Sequence, residues 1–159
     1  MESIVIPFTS NELGRVEFTA QVMTGDRKSL DDVRFKVDSG SDFTTLSCDD
    51  LKLLGYSQEY LKSCPFHEVK ASTASADLNL ALQYITNVSI KFGDRELQQC
   101  RVFFALGTGL RSFLGNDIMK YFNREINYDD GVIILSERKN KPKLATGEVQ
   151  INIYSLEQA

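Results

Sequence analysis

A chain of 159 residues matches the size of one domain and is long enough to bury a substantial core. Its apolar fraction of 42% and charged fraction of 25% are ordinary for a folded globular protein. The formal net charge of -4 argues against a nucleic-acid-binding protein, because such proteins present a basic face.

The first strands are predicted by apolar and polar residues that alternate with a period of two. Apolar side chains at every second position of residues 16–22 indicate a half-buried strand. The same pattern at Val33, Phe35 and Val37 indicates a second strand, which runs directly into an Asp-Ser-Gly turn.

Two short helices are predicted. Ser47, with Asp50 three residues later, makes a weak capping box, and the leucines that follow fit two helical turns ended by Gly55. Residues 115–122 are the second candidate, with Ile118 and Met119 on the apolar side.

The later strands follow the alternating pattern again. Residues 78–84 form one predicted strand, and after a break near Asn87 the pattern resumes over residues 88–92. Residues 97–106 are another strand, and residues 131–135 close a hairpin. Many short strands with few helices predict an all-β domain, either a barrel or a sandwich.

The chain is expected to form one domain over residues 1–135. Residues 136–143 are polar, basic and contain proline, so they are predicted to be a linker. Residues 149–154 alternate and are a possible terminal strand. A strand at the end of a small β domain often pairs with a neighbour's sheet, so residues 136–159 are expected at a dimer interface.

The cysteines and the N-terminal residues bear on the cellular location. Three cysteines without a Cys-x-x-Cys spacing exclude a disulfide framework and a four-thiolate zinc site: Cys48, Cys64 and Cys100. The N-terminal residues lack the basic and apolar regions of a signal peptide, and the apolar stretches are too short to span a bilayer. A cytoplasmic protein without a membrane partner is therefore expected.

The focal motif is Val37-Asp38-Ser39-Gly40-Ser41. Glycine permits a sharp turn and close approach of a ligand, and the Asp38 carboxylate is presented at the end of a strand. The tripeptide alone is weak support, because about one chain in ten of this length contains it by chance. An ordinary polar turn is the alternative interpretation.

A second motif follows downstream, Phe113-Leu114-Gly115-Asn116-Asp117. Together, in this order, the two motifs resemble the retropepsin-like family of aspartic peptidases. The resemblance covers about residues 15–135. It implies a small closed β-barrel with one or two short helices, in which Leu114, Gly115, Asn116 and Asp117 pack beneath the active-site loop.

The resemblance also implies a mechanism that needs a homodimer. Two carboxylates that share one proton are required, and the chain has one Asp-Ser-Gly, so Asp38 of each subunit would supply half of the pair. One carboxylate would deprotonate a water that attacks the scissile carbonyl of a peptide or protein substrate. Neither a metal nor another cofactor is needed.

Neighbouring residues receive roles from the same resemblance. Ser39 and Gly40 would support the loop, and Ser41 would donate a hydrogen bond to Asp38. Gly40 and Asp42 would contact the substrate. The hairpin of residues 69–80 would be a flap that covers the substrate, with Ser72, Thr73 and Ala74 near its tip, although flaps in this family are usually rich in glycine.

Three functions remain open from the sequence. The first is the aspartic endopeptidase, and the second is a catalytically silent β-barrel dimer that acts as a binding or assembly module. The third is a metal-dependent hydrolase built on the acidic pairs Asp31-Asp32, Asp49-Asp50 and Asp129-Asp130. Each pair lies where a turn or helix start would favour aspartate anyway. The single histidine, His67, is expected to be a surface or hairpin residue.

Overall fold

The computed structural model describes residues 3–10, 14–26, 28–37, 42–72, 77–144 and 150–155, with only the backbone at 69–72, 77–80 and 155. The elements in chain order are β1 (Ile4–Pro7), β2 (Thr9–Ser10), β3 (Val16–Met23), β4 (Ser29–Val37), α1 (Cys48–Leu53), α2 (Gln58–Ser63), β5 (Phe66–Ser72), β6 (Asp77–Phe92), β7 (Arg95–Phe104), β8 (Phe113–Leu114), α3 (Asn116–Met119), β9 (Phe122–Asn127), β10 (Val132–Glu137) and β11 (Asn152–Ser155). The predicted all-β class is confirmed as a mostly β structure.

The strands form two sheets. A three-stranded antiparallel sheet has the order β1-β10-β9, and a larger sheet follows the path β11-β7-β6-β3-β4-β8, with β2 beside β3 and β5 beside β6. Among these pairings only β4 and β8 run parallel. Within the described ranges the pairings make an open path, so closure into a barrel stays a prediction.

Strand β3 forms as its alternation predicts. The side chains of Val16, Phe18, Ala20 and Val22 are all buried, and those between them are more exposed. Phe18 packs against Phe35 of β4 and against Phe92 of β6. Burial of one face against aromatic partners therefore fixes which side of β3 points inward.

The expected break near Asn87 is an irregularity inside one strand. β6 runs through 16 residues, and its pairing with β7 shifts register between Ile85 and Val88. Asn87 has a φ of 59°, a left-handed conformation that asparagine tolerates better than most residues. The prediction of two separate strands was wrong, because a bulge interrupts the alternation without ending the strand.

Three short helices lie in the described residues, where one or two were expected. In α1, the Ser47 side chain accepts a hydrogen bond from the Asp50 amide at 3.1 Å, which confirms the predicted cap. α3 is shorter than predicted, because Phe122 already belongs to β9. No helix in the described part of the chain is long and apolar enough to cross a membrane.

The terminal strand β11 pairs antiparallel with β7 of its own chain, with Ile153 opposite Leu97. Ile151, just before it, is buried. This pairing places β11 at one end of the larger sheet. Contact of this strand with a second copy stays a prediction.

Candidate active site

The residues that flank the Asp-Ser-Gly motif are held by backbone contacts with the segment around β8 and α3. Strand β4 ends at Val37, which lies opposite Leu114 of the parallel strand β8. The amide of Lys36 donates a hydrogen bond to the carbonyl of Ser112 at 3.1 Å. The catalytic candidate Asp38, and Ser39, Gly40 and Ser41, lie outside the described residues. The described chain resumes at the exposed residue Asp42.

Thr44 joins the segment after the loop to the second motif. Its side chain is fully buried, and its hydroxyl donates to Oδ1 of Asp117 at 2.7 Å while it accepts from the Gly115 amide at 3.1 Å. The Thr44 amide donates to Oδ2 of Asp117 at 3.0 Å. Thr44 thus donates hydrogen bonds to both oxygens of this carboxylate. These bonds join the start of α3 to residues 42–46, which we call the loop segment.

The backbone makes a further link between the two motifs. The Asp117 amide donates to the carbonyl of Asp42 at 3.2 Å. The structure therefore brings Asp42, Leu114, Gly115 and Asp117 together, with Leu114 fully buried. Asn116 begins α3 beside them. Their part in catalysis stays a prediction.

Glycine is required at position 115 because there is no room for a side chain. A Cβ atom on this residue would lie 2.4 Å from both the carbonyl carbon and the carbonyl oxygen of Phe43, and 2.8 Å from its amide nitrogen. Its φ of -95° is open to any residue, so the conformation itself imposes no glycine. The close approach of two backbones is what excludes a side chain here.

The hydrogen bonds of two hydroxyl groups in or next to the loop segment were not predicted from the sequence. Oγ1 of Thr45 donates to the carbonyl of Arg111 at 2.6 Å and accepts from the Phe113 amide at 3.1 Å. Oγ of Ser112 donates to Oδ2 of Asp50 at 2.6 Å and accepts from the Ser47 amide at 2.9 Å. These bonds tie the start of α1 to the segment that leads into β8.

The predicted flap corresponds to the hairpin of β5 and β6. The two strands pair from Phe66 opposite Gln83 to Ser72 opposite Asp77, and Thr73 and Ala74 lie outside the described residues. The ladder between β6 and β7 begins only at Gln83. Among the described strands, residues 77–82 thus pair with β5 alone, and the hairpin extends beyond the sheet.

Gln83 anchors the base of this hairpin. Its side chain is buried, and the two N–H groups of its amide are shared among the carbonyls of Leu61, Lys62 and Cys64, with the nitrogen at 2.9, 3.1 and 3.1 Å from the three oxygens. These carbonyls lie at the end of α2, where a helix leaves backbone acceptors without partners of its own, although that of Leu61 also accepts from the Cys64 amide at 3.2 Å. One side chain therefore joins α2 to the hairpin.

The cysteines lie in surroundings that favour the thiol. Burial raises the pKa of Cys100 to about 12, and the carboxylate of Asp117 adds to the effect. Burial also raises the pKa of Cys48 and of Cys64. Because the thiolate is the nucleophilic form, these environments disfavour cysteine-based catalysis.

One member of each acidic pair accepts a hydrogen bond from a neighbouring side chain. Asp31 accepts from the side chain of Gln21 at 2.6 Å, and Asp130 accepts from that of Asn127 at 2.9 Å. Asp50 is held by Ser112. In the ranges that the structure describes, no group of three or more His, Cys, Asp or Glu residues could hold a metal ion.

Comparison with known proteins yields a structural likeness. No protein-family model matches the chain, and no curated protein matches it. The chain is similar to the crystal structure of a retropepsin-like aspartic protease from Rickettsia conorii, with 23% sequence identity and a TM-score of 0.55. The match covers 84% of this chain and 89% of that one. The fold of this chain is accordingly that of a retropepsin-like aspartic protease.

Proposed function

We propose that this chain is an aspartic endopeptidase that works as a homodimer, with Asp38 of each subunit in the catalytic pair. The observation that carries the proposal is how the residues on either side of the Asp-Ser-Gly motif are held. Residues 38–41 join Val37 to Asp42, and both of these residues are tied to the segment that contains Leu114 and Asp117. The fold shared with a retropepsin-like aspartic protease supports the same conclusion.

The chemistry follows from two carboxylates within a hydrogen bond of each other. Both cannot be ionised at once, so they share one proton. The ionised Asp38 deprotonates a water that attacks the scissile carbonyl, and the protonated one stabilises the developing oxyanion. The reaction requires no covalent enzyme intermediate. The titration belongs to the pair, and its two pKa values are macroscopic.

A second copy of the chain supplies the other carboxylate. One chain carries one Asp-Ser-Gly, and a two-fold axis brings two equivalent residues together. Edge strands of the described part of the chain support this assembly. Strand β1 lies at the end of the three-stranded sheet and carries Val5, which is 55% exposed, and β11 lies at one end of the larger sheet.

The remaining site residues have supporting roles in this proposal. Ser41 donates a hydrogen bond to Asp38, and Ser39 and Gly40 shape the loop. Asp42, which is exposed, contacts the substrate backbone together with Gly40. The hairpin tip, with Ser72, Thr73 and Ala74, closes over the bound peptide. A cytoplasmic location is part of the same proposal.

Peptide cleavage tests the proposal. Wild type and Asp38→Asn are compared over about pH 3 to 8, the range in which carboxyl pairs titrate, while sedimentation reports the dimer. We expect wild type to cleave and the variant to lose about a hundredfold or more with its dimer intact. A folded dimer without cleavage at any pH favours the binding-module function, and a strict monomer overturns the mechanism.

A further inference from the structure

A cluster of aromatic rings lies between the loop segment and the hairpin. It consists of Phe43, His67, Tyr84 and Phe103 with the guanidinium of Arg101, and we call it the aromatic wall. The Phe103 ring lies 5.2 Å from that of Phe43, 5.9 Å from that of Tyr84 and 6.2 Å from that of His67, between centroids. One central ring therefore connects the other three.

The aromatic wall follows from the strand register. Tyr84 of β6 lies directly opposite Phe103 of β7, so both side chains are on one face of the sheet. Arg101 precedes Phe103 by two positions and shares that face, and its guanidinium carbon is 5.3 Å from the Tyr84 centroid and 5.7 Å from that of Phe103. His67 reaches the same face from β5, 6.3 Å from Tyr84.

The wall adjoins both parts of the candidate site. Phe43 directly follows Asp42, and the backbone of residues 44–46 is hydrogen-bonded to Phe103, with the Phe103 amide donating to the Thr44 carbonyl at 3.0 Å. His67 belongs to the hairpin that forms the predicted flap. A peptide that lies between the loop and the hairpin would therefore pass along the wall.

The exposure of the rings leaves a surface for a ligand. Phe103 is only 3% exposed, whereas Phe43 and Tyr84 are half-buried and His67 is exposed. Two of the four ring pairs are edge-to-face, with interplanar angles of 66° between Phe43 and Phe103 and 89° between His67 and Tyr84, and the two other pairs are tilted. A further ring can join this arrangement through the same face and edge contacts, which an aliphatic side chain does not make.

We propose that the aromatic wall determines specificity by taking an aromatic side chain of the bound peptide. As a statement about substrates, this inference rests on the proposed function, whereas binding of the side chain itself does not require cleavage. Contacts between rings are expected to favour an aromatic over a leucine side chain by about three- to tenfold.

Two measurements on the full-length chain test this inference. In the first, wild type digests a library of peptides from a cell extract, and aromatic residues are counted around each cleaved bond. In the second, ¹⁵N-labelled Asp38→Asn is titrated with N-acetylphenylalanine amide and with N-acetylleucine amide, and amide shifts are followed at Phe43, Tyr84 and Phe103. Binding is thereby read without catalysis.

Substitutions in the aromatic wall, and one next to it, provide the comparison for both measurements. His67→Ala removes an exposed ring of the wall and Tyr84→Leu a half-buried one, and we expect each to lower the preference for the aromatic side chain about threefold or more. Phe66→Ala is the matched control. Phe66 neighbours His67 on β5 and is 64% exposed, but it belongs to the other face of the strand. This variant should retain the preference.

The outcomes separate this inference from the proposed function. Cleavage without aromatic preference, or a preference unchanged in His67→Ala and Tyr84→Leu, overturns the inference and leaves the peptidase standing. Absence of cleavage with tighter binding of the phenylalanine amide at the wall overturns the peptidase and supports the inference. Absence of both cleavage and binding at these amides overturns both.

Discussion

At the scale of single residues, Gly115 and Gly109 differ in what surrounds them. A methyl group on Gly115 would meet three backbone atoms of Phe43, whereas a methyl group on Gly109 would meet nothing within 4 Å. Backbone atoms cannot move aside as the end of a flexible side chain can. The two glycines of one segment therefore provide a test and its control.

We predict that Gly115→Ala lowers the free energy of unfolding by about 3 kcal/mol, the upper end of the cost of overpacking. Peptidase activity should fall with it, because α3 and the loop segment are pushed apart. Gly109→Ala should change stability by less than about 0.5 kcal/mol. Urea unfolding measures both, and equal effects of the two substitutions would refute the close approach at Gly115.

The second residue-scale prediction concerns Cys100 and alkaline pH. Its thiol has a pKa of about 12 in the folded protein, against 9.0 for an unperturbed cysteine, because it is buried and close to the Asp117 carboxylate. The unfolded chain therefore releases this proton first as pH rises. The resulting stabilisation is complete below pH 9 and is lost between about pH 9 and 12, by up to about 1.4 kcal/mol per pH unit.

The variant Cys100→Ala isolates this contribution, because other titrating groups are common to both proteins. The stability difference between wild type and Cys100→Ala should shrink by about 1.4 kcal/mol when the pH rises from 8 to 10. Urea unfolding at both pH values provides the measurement. A constant difference would mean that Cys100 ionises equally in the folded and unfolded states.

At the scale of elements, Gln83 connects helix α2 to the hairpin. We predict that Gln83→Leu lowers the free energy of unfolding by about 1 to 3 kcal/mol, since the carbonyl groups at the end of α2 lose the two buried N–H donors that they share. Amide hydrogen exchange in β5 should become faster, because the base of the hairpin loses its anchor. Gln58→Leu, an exposed change in α2, is the control. Unchanged exchange in β5 would exclude an anchoring role.

Elements with a strong local pattern were predictable. β3 buries every second residue, and the cap of α1 lies within four residues of sequence. Helix α2 was missed because Leu61 is its one buried residue among those described, which leaves no apolar periodicity. The bulge at Asn87 was mistaken for a break, because the continuity of β6 depends on its pairing with β7.

The parts of the candidate site that belong to sequence motifs could be predicted from the sequence. Gly115 and Asp117 were expected near the loop, and the structure brings them to the segment that follows it. Thr44 and Ser112 were not anticipated. Their hydrogen bonds join residues 62 to 73 positions apart, and a local sequence pattern cannot identify a partner so far along the chain.

At the scale of the whole molecule, the proposed dimer makes Val5 a test of assembly. Val5 is 55% exposed on β1, and its burial by a second copy would stabilise the dimer. We predict that Val5→Asp shifts the protein towards monomer in sedimentation and lowers the activity per subunit, because an isolated chain would have half of the proposed catalytic pair.

Leu53→Asp is the matched control for this prediction. Leu53 is 69% exposed on α1, outside the three-stranded sheet. Both variants should keep the fold, because a change at an exposed position rarely alters stability by more than about 0.5 kcal/mol. A dimer that tolerates Val5→Asp as well as Leu53→Asp would mean that β1 lies outside the interface.

The parallel pairing of β4 with β8 also governs the order in which the molecule is completed. Lys36 can pair with Phe113, and Thr44 can bond to Asp117, only after the later residue has been added to the chain. These contacts close long loops and therefore form slowly. During synthesis, the residues around Asp38 leave the ribosome well before the segment that holds them. We therefore expect the emerging chain to stay inactive until most of its length has been made.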